Sequence, residues 1–459
     1  MMGSFSVTSI AERLGAPVIA TAERIETVCT DSRQVVPNSL YVALRGERFD
    51  GHDFIAQAGK RGAVAAVVDH TTEASVPQLC VTDTRRALGE IANMNRCAAH
   101  ARLIALTGSA GKTGTKEMIA AMLATAAPTL ATEGNLNNEI GVPLTLLNIN
   151  AEHAFAVIEM GAAREGDIAY LCAFAEPDIA LITNAMEAHL EGFGSLSTIV
   201  ETKGEIYRSL SAKAIAVLNL DDRAADRWRE MIGDRTLVTV SAQGRAEADV
   251  RAFGISTDPL SSRFQLRAGE QSVDVCLPLP GRHQVANAVA AAGVAIAAGI
   301  SLAAIAAALG QLHPVAGRMR PCTTAGGAFL IDDTYNANPG AMRAAIDALT
   351  QCDAERLLVV GTMAELGVNA AQLHREIGAY AQQSGIHQLF AVGAHADDYA
   401  SGFGEGAETY ADQTALITRL KGIDRCGIAI LVKGSRSARM DRVVSAMLAE
   451  SPAAAAEVH

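Results

Sequence analysis

The sequence predicts an α/β protein of three domains, with a central doubly wound sheet flanked by a smaller α/β unit on each side. Three observations predict it. Short apolar runs alternate with helical patterns along most of the chain. One of these runs, Leu103 to Thr107, leads into the turn Gly108-Ser109-Ala110-Gly111 and then into Lys112-Thr113, which opens a helix. The length, 459 residues, suits about three domains.

Bulk composition narrows the function classes. Hydrophobic residues make up 49% of the chain and charged residues 19%, the balance of a globular protein. The 38 basic and 50 acidic residues give a net charge of −12, which leaves no broad basic field for nucleic acid or a membrane surface. The 8 cysteines are scattered without a C-x-x-C pair, so no zinc signature appears and reduced thiols are expected. Glu12, Arg13, Glu23 and Arg24 interrupt any signal-peptide core. The Ala-rich stretch Val285 to Gly310 reads as two buried helices, because Gly299 and Ser301 supply a stop and a start. A cytoplasmic protein without membrane insertion is expected.

Residues 1–82 form the first unit. Strands are predicted over 39–44 and 62–68. The loops Thr30-Asp31-Ser32-Arg33 and 46–54, the latter holding Phe49, Asp50, Gly51, His52 and Asp53, either contact a ligand or are solvated surface.

Residues 83–316 form the central unit. Gly108 and Gly111 let the backbone curl so that amides converge on an anionic oxygen. Lys112 adds a point charge, Thr113 a hydroxyl suited to Mg2+, and the following helix a positive dipole end. These features describe a phosphate loop, in a shortened G-x-x-G-K-T form with Leu106 at the usual first glycine. Ile119, Met122, Leu123 and Ala126 give the helical period, and Pro128 marks its end. The apolar strands 154–159, 179–184 and 214–219 suit a parallel sheet covered on both faces. Ligands collect at the C-terminal ends of such strands, where Glu159 and Asn184 fall. Glu159 either holds Mg2+ or caps the turn at Gly161. His189, in a loop after a strand, is a packing residue or a ligand. Lys203, on a helical pattern with Ile206 and Tyr207, reads from its neighbours as a solvated lysine. Asn287, inside a buried pattern, needs a partner, either backbone or a purine edge.

Residues 317–459 form the third unit. Strands over 329–333, 356–361, 388–393 and 427–433 alternate with helices in a Rossmann-like layer that has no phosphate loop of its own.

Motifs through nearly the whole chain then name a family. TGSAGKT (107–113), EGNLNNEIGVPLTLL (133–147), IEMGA (158–162), ITN (182–184), AHLEGFGS (188–195), KGEIY (203–207), LPGRH (279–283) with Asn287, GRM (317–319), DDTYNANPGAM (332–342), MAELG (363–367) and VKGSR (432–436), with TDSR and GERFDGHDF near the start, resemble the Mur ligases. GNLNNEIG, AHLEGFGS, YNANP and MAELG together resemble the branch that joins D-alanyl-D-alanine to UDP-N-acetylmuramoyl-tripeptide. The DNPR-like motif of the sister ligase that adds the third residue does not appear.

The resemblance implies an ATP-dependent, ADP-forming amide ligase of peptidoglycan synthesis. Its product would be the pentapeptide, made through an acyl phosphate, and we expect a monomer. It implies that Thr107, Gly108, Ser109, Ala110, Gly111, Lys112 and Thr113 hold the ATP phosphates, with Asn137 and Asn138 nearby. It makes Asn287 an adenine contact, and Arg318 and Asp333 nucleotide contacts from the third unit. Thr113 and Glu159 would bind one Mg2+. His189 would bind a second, together with a carbamylated Lys203, and Lys112, Glu159, His189 and Lys203 form the catalytic set. Thr30, Asp31, Ser32, Arg33, Phe49, Asp50, Gly51, His52 and Asp53 would hold the UDP-sugar. Thr362 stands where relatives usually carry Asp, and Met186-Glu187 replaces a more usual small or proline-bearing turn. Two competing readings are an amide ligase with other substrates and a nucleotide-regulated binding module. Lys112, Thr113, Glu159, His189 and Lys203 occurring together speak against the module.

Overall fold

The computed structural model describes residues 1, 5–17, 23–46, 49–186 and 190–449. Three α/β units follow one another along the chain, each organised on its own sheet. A short antiparallel pair, β1 (Phe5–Ser6) and β2 (Arg24–Ile25), precedes a four-stranded parallel sheet. That sheet is β3 (Thr27–Cys29), β4 (Ser39–Val42), β5 (Ala63–Val68) and β6 (Gln78–Cys80), side by side in chain order.

The central sheet has nine strands: β7 (Arg102–Thr107), β8 (Thr129–Ala131), β9 (Phe155–Glu159), β10 (Ile179–Ile182), β11 (Ile215–Asn219), β12 (Thr236–Ser241), β13 (Val250–Thr257), β14 (Ser262–Ala268) and β15 (Gln271–Leu277). Their order is β15-β14-β13-β12-β11-β10-β7-β9-β8. From β7 the chain first builds to one side through β8 and β9, then crosses to the other through β10. The C-terminal end of β7 is therefore a switch point, where a crevice opens in such sheets. The third sheet is β16 (Arg320–Thr323), β17 (Phe329–Asp333), β18 (Glu355–Val360), β19 (Gln388–Val392), β20 (Ala407–Tyr410) and β21 (Ile428–Lys433), ordered β16-β17-β21-β18-β19-β20.

Alternate residues of β7 feed two different cores, as the strand period requires. Leu103 and Ala105 pack with Val7 and Ile10 of the first unit and with Leu88, so the first and central units share one apolar cluster. Ile104 and Leu106 face Met118, Ile119 and Met122 of the helix Lys112–Ala124, and Val285 and Val289 of the helix Arg282–Ala297. The third unit has separate clusters on the two faces of its sheet.

The expected strands and the two Ala-rich helices are present, the second spanning Leu302–Gly310 with the Ser301 hydroxyl accepting from the Ala304 amide at 3.3 Å. Among the described residues no helix is long and apolar enough to cross a membrane. The strands expected to be parallel are so, and the sheet continues beyond them into strands not expected: β14 runs antiparallel to both β13 and β15. The cause is legible in 262–268, where Phe264 and Leu266 are buried and Arg263 and Gln265 exposed, the two-residue period of a sheet with one wet face.

The helix Arg282–Ala297 lies close on the sheet because Gly293 has no side chain. A Cβ there would stand 2.3 Å from Val240 Cγ1. Gly293→Val is expected to lower the thermal unfolding midpoint by several degrees, consistent with about 1–3 kcal/mol of overpacking.

Candidate functional site

The turn after β7 is shaped from outside as well as from within. Gly108 lies where a Cβ would come 1.9 Å from Thr183 Oγ1, and Gly111, at φ +77°, where a Cβ would come 2.5 Å from Asn287 Oδ1. The end of β10 clasps the turn. Asn184 Oδ1 accepts from the Ala110 amide at 2.9 Å, while Thr183 Oγ1 and Asn184 Nδ2 donate to the Ala110 carbonyl at 2.7 and 3.0 Å. Ser109 Oγ donates to the Met186 carbonyl at 3.0 Å. Lys112 Nζ donates to the Gly108 carbonyl at 2.7 Å. Burial pushes its ammonium below the usual lysine range, with Glu159 opposing and Arg318 reinforcing the shift.

Thr113 is the meeting point. Its hydroxyl donates to Glu159 Oε2 at 2.7 Å and accepts from the Arg318 guanidinium at 2.8 Å. The last residue of β9 thus meets the first turn of the helix Lys112–Ala124, and the third unit reaches across to that turn. Glu159 is buried, and Asn137 Nδ2 donates to its other oxygen at 2.8 Å. Asn138 Oδ1 accepts from the Gly141 amide at 2.9 Å, fixing the start of the next helix.

Lys203 corrects its reading as a solvated lysine. It is 3% exposed on the helix Leu196–Arg208, with no hydrogen-bond or ion-pair partner among the described residues. Its ammonium lies 5.9 Å from the Phe193 ring centroid. Burial, reinforced by Lys112, pushes its pKa down to about 7.

The third unit supplies the facing wall. Arg318 lies over the Tyr335 ring at 3.9 Å. Asp333 Oδ1 accepts from the Met319 amide at 3.2 Å, and Oδ2 from the buried Lys433 ammonium at 2.5 Å. Lys433, Tyr335 and Arg436 had no role assigned from sequence. For Lys433 and Arg436 the signal was present in VKGSR, where one cation closes a strand and another follows it.

Together these walls enclose a cleft of about 1050 Å³. Ser109 to Thr113, Asn137, Asn138, Glu159, Lys203, Asn287, Arg318 and Asp333 line it, whereas Thr107 and Gly108 sit behind it. Thr107 is fully buried and its hydroxyl has no partner among the described residues. His189 lies outside the described residues.

None of the nine candidate residues of the first unit lines this cleft. Asp31 and Asp50 instead flank Tyr41, whose phenol is lifted to about 12 by burial, with both carboxylates adding. Phe49 is exposed and Ser32 buried against Gln57, which accepts from its hydroxyl at 3.1 Å. Arg33 pairs with Asp31 at 2.7 Å, Gly51 receives the Tyr41 hydroxyl at its carbonyl, and Asp53 follows on the same short helical turn. His52 Nδ1 meets Asp50 at 2.5 Å, and its ring stacks on His70 at 4.3 Å. His52, Asp69 and His70 bring donor atoms within 4.8 Å of one another, but the Arg45 guanidinium already stands 3.3 Å from Asp69.

Models of known families match three stretches: "Mur ligase family, catalytic domain" over 24–96, "Mur ligase middle domain" over 106–295, and "Mur ligase, glutamate ligase domain" over 317–436. A UDP-N-acetylmuramoyl-tripeptide–D-alanyl-D-alanine ligase of Escherichia coli K12 is 45% identical, covering 97% of this chain and 99% of its own.

The chain belongs to the Mur ligase family.

Solved Mur ligases agree with this membership. The crystal structure of MurF from Acinetobacter baumannii superimposes with a TM-score of 0.91 at 34% identity, over 97% of this chain and 99% of that one. MurF from Thermotoga maritima, in complex with ADP, gives 0.84 at 30% identity over 92% and 96%. A folylpolyglutamate synthase of Mycobacterium tuberculosis, at 16% identity and a TM-score of 0.63, shares the fold.

Lys203 makes the stability of this Mur ligase depend on pH. The folded chain releases the proton near pH 7, whereas the unfolded chain holds it to about 10.4. Between those values the unfolded state binds more protons, so stability rises with pH. In carbon-dioxide-free buffer, Lys203→Met is expected to raise the thermal midpoint most at pH 6, and the gain is expected to shrink above pH 7.

Proposed function

We propose that this chain joins D-alanyl-D-alanine to UDP-N-acetylmuramoyl-tripeptide at the expense of ATP. The meeting at Thr113 carries the reading: a loop hydroxyl, a strand-end carboxylate and a guanidinium from another unit converge where a triphosphate would end. The substrates come from the relatives' names. In this reading 1–82 is a UDP-sugar domain, 83–316 an ATP domain with a phosphate loop, and 317–459 a domain serving nucleotide and dipeptide.

A carboxylate is resonance-stabilised and carries no leaving group. One of its oxygens therefore takes the γ-phosphoryl: an O–P bond forms, the β–γ bond breaks and ADP departs. The amine of the dipeptide then forms a C–N bond, phosphate leaves with the C–O bond, and the amine loses a proton. Amides at the helix start, 111–113, and Lys112 hold the phosphates in line. Asn287, against Gly111, would meet the adenine, Arg318 and Asp333 would approach from the facing wall, and Asn137 holds the Glu159 carboxylate in place.

The donor set fits Mg2+. Thr113 and Glu159 offer adjacent hard oxygens; the family resemblance would put a second ion on His189, which lies outside the described residues, and a carbamylated Lys203. Bound there, Mg2+ neutralises charge on the transferring phosphoryl group. A carbamate suits Lys203 because its amine is buried, without an acceptor among the described residues, and half neutral near pH 7. The Nζ lone pair forms the N–C bond to carbon dioxide and a proton leaves, turning a cation into an oxygen ligand.

Phosphate release is expected only when ATP, the tripeptide nucleotide and D-alanyl-D-alanine are all present. Lys112→Ala should lower kcat about a hundred- to a thousandfold. Equal turnover with a single amino acid in place of the dipeptide would overturn the substrate assignment.

A further inference from the structure

Lys116 is buried, 2% exposed, one turn beyond Thr113 on the same helix. Burying an ammonium is costly, and an unbranched apolar side chain fills the same space at less expense. The charge has a specific use. Lys116 Nζ donates to the Thr132 carbonyl at 2.5 Å, and its other partner is the half-exposed Glu117 at 2.7 Å. Thr132 in turn accepts, through its hydroxyl, the backbone amide of Glu159 at 3.0 Å. Thr132 also roots the segment that returns as Asn137, which donates to the Glu159 carboxylate and takes the Gly161 amide on its own carbonyl at 2.8 Å. The Thr132 amide also donates to the Val157 carbonyl at 3.0 Å, so the contacts of Thr132 hold the end of β9 that Glu159 closes.

We propose that Lys116 is a positioning residue. Through Thr132 it fixes the Glu159 carboxylate against the Thr113 hydroxyl, and so sets the affinity of that oxygen pair for a divalent cation. The inference rests on the metal role given above to Thr113 and Glu159. One helix turn then holds the pair from both sides, Thr113 touching the carboxylate and Lys116 gripping the strand end behind it.

The test is ADP affinity by isothermal titration calorimetry, with saturating Mg2+ and with EDTA, on the full chain. Lys116→Met is expected to cut the Mg2+-dependent gain in affinity about tenfold, as loss of outer-shell support does, with the EDTA value unchanged. Thr132→Val should give the same loss, and the two together no more than either. Glu117→Gln should match the wild type. A Lys116→Met protein that keeps the full Mg2+ gain, or that loses affinity equally in both buffers, overturns the proposal. If that variant does not fold, Lys116→Arg, which keeps the cation but moves the donor, reads the same ratio. Glu159→Gln separates the two ideas: if it keeps the Mg2+ gain, the metal reading fails. If it loses the gain while Lys116→Met does not, only the relay fails.

Discussion

The cleft depends on how closely the backbone after β7 is approached by its neighbours. Thr183 and Asn287 stand where side chains at 108 and 111 would be, so the turn is held by contact as well as by its own torsions. Asn184 and Thr183 then use the Ala110 peptide as a handle, and the Ala110 amide is thereby taken up rather than left for a ligand. What remains open toward the cleft is the helix start at Lys112-Thr113 and whatever reaches it. That places unusual weight on Thr113, whose single oxygen serves two units at once.

Legibility followed the range of the interactions. Glu159 stood out because an acid ended an apolar run, and that run became β9 with the acid as its last residue. The glycine turn stood out because strand, turn and helix were contiguous. Lys203 was opaque to its own neighbourhood: what buries it is Phe193 and the cleft wall, none of it encoded by helical period, and the family motif alone brought it forward. Lys433 was hidden for the same reason, since its partner Asp333 is brought close by the parallel pairing of β17 with β21, while Tyr335 meets Arg318 across the β16–β17 pair. The meander β13 to β15 was different. Its alternation was present in the sequence, but a search for continuous apolar strands passes over half-wet ones.

The two groups of candidate residues are spatially distinct in kind as well as place. Those of the central cleft converge on buried oxygens and cations, with few side chains free to move. Those of the first unit are exposed or tied to one another, as Asp31 and Arg33 are, around the buried Tyr41 hydroxyl. The two groups thus sit on separate sheets, each at the C-terminal edge of parallel strands.

The cores divide the chain differently from the sheets. The first two sheets are fused by one apolar layer running from Val7 to Trp228, while the clusters beneath the last sheet include nothing before Met319. In terms of cooperativity the molecule is two blocks, not three. A torque between blocks is resisted by polar links such as the one from Arg318 and by local packing of the helix Arg282–Ala297 on Pro339–Leu349, not by a shared core. A torque between the first two sheets would have to shear an oily seam.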